Sequence, residues 1–312
     1  MPTVTLARLA MATRFEIVLH GNDPVALRAA GEEALAEVDR LEDQLSLFRP
    51  ASEISHLNAR ACSTPVRVTP SLFALLQHAA KLHRETGGAF DITIAPLVRC
   101  WGFMAGTGHI PDPVALAEAR ACVGMHLVHL NPAERTVQFE RPGVMLDLGA
   151  IGKGYAVEQA AEILRDAGVT SALIHGGTST VYALGCPPDS DAWKVAIESP
   201  PETASDLPPG PVVPLHDEAL SVSAVWGKSF KSDGRTFGHV LDPRTGEPAT
   251  AARLAAVILP SATETDALST ALLTHGPAGH DLITNLRPEM RGLIGFDSPS
   301  GFKIESRNMV PQ

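Results

Sequence analysis

Four stretches of this sequence set side chains at spacings that could do chemistry. The first is Asp147-Leu148-Gly149-Ala150-Ile151-Gly152-Lys153-Gly154-Tyr155. Glycine lets backbone N–H groups approach a phosphate with no Cβ in the way. A following helix N-terminus adds partial positive charge, and Lys153 supplies a full one. The spacing is neither G-x-G-x-x-G nor the P-loop pattern, and such residues more often form an ordinary strand-to-helix turn with an exposed lysine. The second is Glu264-Thr265-Asp266-Ala267-Leu268-Ser269-Thr270. On a helix Asp266 and Thr270 stand at i and i+4, so a carboxylate and a hydroxyl share one face. That hard-oxygen pair suits Mg²⁺, while a dipole-favoured carboxylate beside a helix-facing threonine is its commoner meaning. The third is Phe237-Gly238-His239-Val240-Leu241-Asp242-Pro243-Arg244-Thr245-Gly246. Asp-Pro-x-x-Gly is a tight turn, and His239 before it could serve as a general base near neutral pH, although a lone histidine is more often structural. In the fourth, Gly87-Gly88-Ala89-Phe90-Asp91-Ile92-Thr93, an aspartate among apolar residues precedes Trp101-Gly102-Phe103. It reads either as a ligand-facing carboxylate beside an aromatic shelf or as a helix C-cap running into a strand.

The elements that must position these residues are legible from periodicity. Phe15, Ile17 and Leu19 alternate in the second of two strands within residues 3–20. Asn22-Asp23-Pro24 starts a helix that Leu27, Leu35, Val38, Leu41 and Leu45 carry to about Leu47. Ser71 opens a second helix, stopped by Gly87-Gly88, and Asp112-Pro113 begins a third. Leu127–Leu130 and Thr136–Phe139 form a hairpin. Val144–Leu148 is a strand leading through the glycines to a helix over Tyr155–Ala167. Ala172–His175, Trp193–Ile197, Leu220–Val225 and Leu293–Phe296 read as strands, and Thr263–His275 as the last helix. Residues 199–214, with Pro208-Pro209 and Pro211, read as a surface loop within one domain that spans 1–312. Strands grouped in hairpins with helices between them argue an α+β fold.

Composition closes off other functions. The 312 residues carry 25 Lys+Arg against 35 Asp+Glu, a formal charge of −10. With no basic run and only 5% aromatic residues, nucleic acid and anionic membrane are poor partners. Cys62, Cys100, Cys122 and Cys186 form no CxxC pair, and the histidines show no zinc spacing. No serine sits in a G-x-S-x-G setting. No apolar run of about 18 residues could span a membrane. The opening residues show no signal peptide, which points to the cytoplasm, or to the periplasm if a leader has been removed.

Taken together the motifs resemble those of the FAD:protein FMN transferases, the ApbE-type flavin transferases. The resemblance is carried by Met11-Ala12-Thr13, by Gln44-Leu45-Ser46-Leu47-Phe48-Arg49-Pro50, by Gly87–Thr93 with Trp101-Gly102-Phe103, and by Asp147–Tyr155, His239–Gly246 and Ala262–Thr270. It implies a T-fold-related α+β architecture with FAD held between sub-structures. It implies Mg²⁺-dependent transfer of FMN from FAD to a Thr or Ser hydroxyl of an acceptor protein carrying an Asp-Gly-x-Ser/Thr-Gly/Ala-Thr motif, with release of AMP. Carried over by motif, one or two Mg²⁺ ions would be held by the Ala150 carbonyl, Asp266 and Thr270. The nucleotide would contact Met11, Phe48, Ala89, Phe90, Asp91, Asp147 and Lys153, and His239 would deprotonate the acceptor hydroxyl. The chain departs from the family at Thr178-Ser179 after Gly176-Gly177, and at Ser223-Ala224-Val225-Trp226-Gly227-Lys228. The alternatives are a non-catalytic flavin-binding relative and a hydrolase splitting FAD to FMN and AMP.

Overall fold

The computed structural model describes residues 1–198, 200, 210–232 and 234–309. Its strands, in chain order, are β1 (Thr3–Ala10), β2 (Thr13–His20), β3 (Val66–Arg67), β4 (Val128–Asn131), β5 (Thr136–Phe139), β6 (Ser171–Gly176), β7 (Thr180–Gly185), β8 (Trp193–Ala196), β9 (Val212–Leu215), β10 (Glu218–Ala224), β11 (Ser229–Ser232), β12 (Arg235–Gly238), β13 (Leu254–Leu259), β14 (Arg291–Ser298) and β15 (Gly301–Arg307). Eight of them build one sheet in the order β1-β2-β6-β7-β10-β13-β14-β15, with antiparallel pairing throughout. Smaller sheets are β3-β5-β4, β8-β9 and β11-β12.

The alternation in β2 buries Phe15, Ile17 and Leu19 on one face of the large sheet. Three helices cover that face: α1 (Pro24–Leu45), then α6 (Gly152–Asp166) and α7 (Ala262–His275). Asp23 caps α1 by accepting from the Val25 and Ala26 amides, and Pro24 fits the first turn, where no amide donor is needed. α7 is buried on almost every side, with its polar Asp266 and Ser269 among the buried residues. The other face packs Leu220, Leu254, Ala256, Ile258 and Leu293 against Trp193, Val213 and Leu215 of the β8–β9 hairpin. The remaining helices are α2 (Glu53–Arg60), α3 (Pro70–Glu85), α4 (Ala95–Cys100), α5 (Pro113–Arg120) and α8 (His280–Thr284). A separate small cluster joins Leu97, Trp101, Phe103 and Leu241 to Phe230 and Phe237.

Several expectations are corrected. Val144–Leu148 is extended but not a strand: the Leu146 amide and carbonyl bond to the side chain of Asn58, and the Asp147 amide to the Ile92 carbonyl, so no ladder forms. The helix expected from Tyr155 starts at Gly152, which puts Lys153 in its first turn. The chain after Gly87-Gly88 runs into α4 and not into a strand. Residues 212–214, expected in a loop, belong to β9 and pair with β8, and the rest of that loop falls mostly at 199 and 201–209, outside the described residues. α2, β7, β13 and β15 carry no expectation from the sequence.

Candidate active site

One cavity of about 1190 Å³ opens where the β6–β7 turn, the end of β10 and the N-terminus of α6 meet. The glycine-rich turn contributes Asp147, Gly149, Ala150 and Lys153, and α7 contributes Asp266 and Thr270. His239 enters from the end of β12. Met11, Phe48, Ala89, Phe90 and Asp91 complete the set named from sequence, so all of those residues line the same space.

Each is placed for a local reason. Gly154 lets α6 press against α7: a Cβ there would collide with the Ala262 carbonyl and stand 2.6 Å from the Asp266 Cβ. The Gly154 amide, free in the first turn of α6, donates to Asp266 Oδ2 at 2.9 Å. Asp266 is 4% exposed, and its other oxygen accepts no hydrogen bond among the described residues. Thr270 is held by its hydroxyl, 3.3 Å from the Asp266 carbonyl and 3.1 Å from Ser223 Oγ. Lys153 Nζ donates to the Gly149 carbonyl at 3.2 Å. Burial pushes the Asp147 carboxyl up; the Gly149 amide, at 2.8 Å, and the Lys153 charge pull the other way.

His239 is half-buried. Its backbone amide and its Nδ1 both meet the Lys228 carbonyl, at 3.0 and 3.1 Å. A carbonyl only accepts, so Nδ1 carries the proton and Nε2 the lone pair. Burial lowers the pKa of His239; the Lys228 carbonyl raises it, and the Lys228 and Lys153 charges lower it further.

Asp91 is a different case. Its Oδ1 accepts from the Thr93 amide and hydroxyl at 2.8 and 2.6 Å, and its Oδ2 lies 3.2 Å from His83 Nδ1. The Thr93 hydroxyl in turn accepts from the Gly124 amide. This carboxylate braces the cavity wall with both oxygens engaged. Phe48 is 71% exposed at the mouth, a large apolar ring open to solvent. Among the side chains missed from sequence are Trp226 and Lys228 just before β11, His175 at the end of β6, and Glu198. For Lys228 the signal was present: a cation in the departure segment a few residues before the histidine turn.

The fold is that of flavin transferases. The crystal structure of the apo flavinyl transferase ApbE of Pseudomonas stutzeri matches with a TM-score of 0.85 at 27% identity, over 98% of this chain and 95% of that one. The Vibrio cholerae flavin transferase ApbE matches with a TM-score of 0.85 at 26% identity, over 98% and 97%. The FAD:protein FMN transferase of Treponema pallidum is 33% identical over 285 residues, 86% of this chain and 78% of that protein. The ApbE family pattern matches residues 11–294, and the chain belongs to the ApbE family. It is an enzyme of the transferase class.

Proposed function

We propose that this enzyme transfers FMN from FAD to a Thr or Ser hydroxyl of an acceptor protein. The acceptor oxygen attacks the FMN-side phosphorus of the FAD pyrophosphate. A phosphoester P–O bond forms, the bond to the AMP oxygen breaks, and AMP leaves with that electron pair. His239 Nε2 takes the hydroxyl proton. Lys153 and the amides of the first turn of α6 offset charge on the pyrophosphate, and Phe48, Met11, Ala89 and Phe90 hold the nucleotide's planar parts.

The observation that carries this reading is the meeting of His239, Lys153 and the Asp266–Thr270 oxygens in one cavity large enough for a dinucleotide. The donor set also fits Mg²⁺: a buried carboxylate with one unengaged oxygen, a hydroxyl and the Ala150 carbonyl are all hard ligands, with no sulfur or imidazole among them. Bound there, the ion would offset phosphate charge. Among the described residues no cluster of three His, Cys, Asp or Glu side chains competes for it. The acceptor would carry the Asp-Gly-x-Ser/Thr-Gly/Ala-Thr motif.

The test incubates the protein with FAD, Mg²⁺ and a purified domain carrying that motif. A fluorescent covalent band supports transfer. Free FMN and AMP alone would make the enzyme a hydrolase, and unchanged bound FAD would make it a binder.

A further inference from the structure

We propose that the β11–β12 hairpin is the docking strand for the acceptor, and that it takes an extended, acidic segment of that protein. This rests on the transfer reading above and adds where, and by what chemistry, the acceptor is held.

Both ends of the hairpin belong to the cavity. Trp226, Gly227 and Lys228 line it just before β11, and His239 just after β12. The two ends are tied, because the His239 amide and ring both bond to the Lys228 carbonyl. A chain lying along this hairpin is therefore delivered to the histidine.

The hairpin is anchored on one face only. Phe230 and Phe237 stack at 5.1 Å and 15°, and Trp101 lies 6.4 and 5.8 Å from their ring centroids. Phe103 closes on Phe230 at 5.7 Å. Side chains alternate along a strand, so Ser229, Lys231 and Thr236 stand on the opposite face, and all are exposed. Among the described residues, no backbone group of 229–232 or 235–237 bonds outside the hairpin. A two-stranded ribbon with free edges is a template for strand addition.

Charge selects the occupant. The chain carries −10 overall, yet this hairpin projects Lys231 from its open face and Arg235 from the other, flanking the ribbon with two cations. Both are exposed, and neither side chain makes an ion pair or hydrogen bond among the described residues. Elsewhere arginines are mostly paired, as Arg8, Arg40, Arg49, Arg244 and Arg287 are. Unpaired cations beside a free edge complement an acidic strand.

The experiment measures transfer from FAD, with Mg²⁺, to a purified domain carrying the Asp-Gly-x-Ser/Thr-Gly/Ala-Thr motif. It compares the native enzyme with K231E/R235E and the charge-preserving K231R/R235K. We expect the acceptor KM of K231E/R235E to rise about tenfold or more and to lose its increase with salt. FAD affinity, and FMN release without acceptor, should stay unchanged, and K231R/R235K should behave as native. An unchanged acceptor KM overturns the proposal. So does a weakened FAD affinity, which would assign these cations to the nucleotide. Failure of the native enzyme to label the domain overturns the transfer reading itself, and this inference with it.

Discussion

The Gly154 amide and the Asp266 carboxylate are joined across the α6–α7 contact by a 2.9 Å hydrogen bond, made possible because residue 154 has no side chain. An N-terminal amide of one helix thereby fixes a carboxylate of another. Gly154→Ala should force the helices apart against the Ala262 carbonyl, at a cost of roughly 2–3 kcal/mol. For a chain of this size that lowers Tm by several degrees. Calorimetry checks the loss, and a native Tm would show that the contact can relax.

Asp266→Asn separates the two duties of this side chain. An amide oxygen can still accept from Gly154, so the fold should persist within about 1 kcal/mol. The negative charge is lost, so Mg²⁺ affinity, read by calorimetric titration or with Mn²⁺ by electron paramagnetic resonance, should fall sharply, and FMN transfer with it. Undiminished ion binding by this variant would remove Asp266 from the metal site.

The lowered pKa of His239 predicts a pH profile. Burial disfavours the imidazolium, so Nε2 stays unprotonated below the ordinary histidine value of 6.5. The acid limb of kcat/KM for the acceptor should therefore fall with unit slope through a pKa below 6.5. His239→Gln should abolish that limb and reduce transfer by about 10²–10⁴ while sparing FAD binding. A limb above 6.5 that survives in His239→Gln would assign the proton transfer elsewhere.

The strands and helices that alternate cleanly were readable from sequence: β2, α1, α3 and α7 stand where the periodicity put them. α2 and β11–β12 were not, because short amphipathic pieces carry few apolar positions and take their stability from neighbours such as Trp101. Val144–Leu148 had the composition of a strand, but its partner is one asparagine side chain 88 residues away, which no local pattern encodes. The site residues were found mainly through motif resemblance. Periodicity alone could not distinguish Asp91, whose oxygens are spent on Thr93 and His83, from Asp266, which keeps one oxygen unengaged.

The β1–β2 turn holds Met11 and Ala12 at φ of 49° and 58°, a conformation that ordinarily calls for Asn or Gly. The left-handed region costs an L-residue about 1–2 kcal/mol, and the extra unfolded-state freedom of glycine takes back about 0.5–1. Ala12→Gly should therefore raise stability by up to about 1 kcal/mol, and the β-branched Ala12→Val should lower it by about as much. Urea unfolding of the pair, with FAD titrations to follow Met11 at the cavity rim, decides this. The order Val above Gly would mean that the turn is not strained.

Arg287 binds Glu264 through two nitrogens, at 2.8 and 2.7 Å, and also Glu85 at 2.9 Å, clamping the first turn of α7 next to Asp266. Burial alone would raise the Glu264 pKa, but the hydrogen bonds and charge of Arg287, helped by His78 and Lys81, hold it below the ordinary 4.5. A carboxylate with a depressed folded pKa stabilises the protein fully above its unfolded value, and the contribution is lost as pH falls through the folded one. Stability should thus decline with acid below about pH 4.5. Arg287→Met leaves the half-buried Glu264 and Glu85 with only His78 and Lys81 beside them, costing roughly 2–4 kcal/mol at pH 7. The gap to the native protein should narrow toward pH 3.5, as Glu264 loses its charge. Urea midpoints measured from pH 3.5 to 7 follow both curves, and a gap that stays constant across that range would mean that Arg287 acts through packing and not through charge.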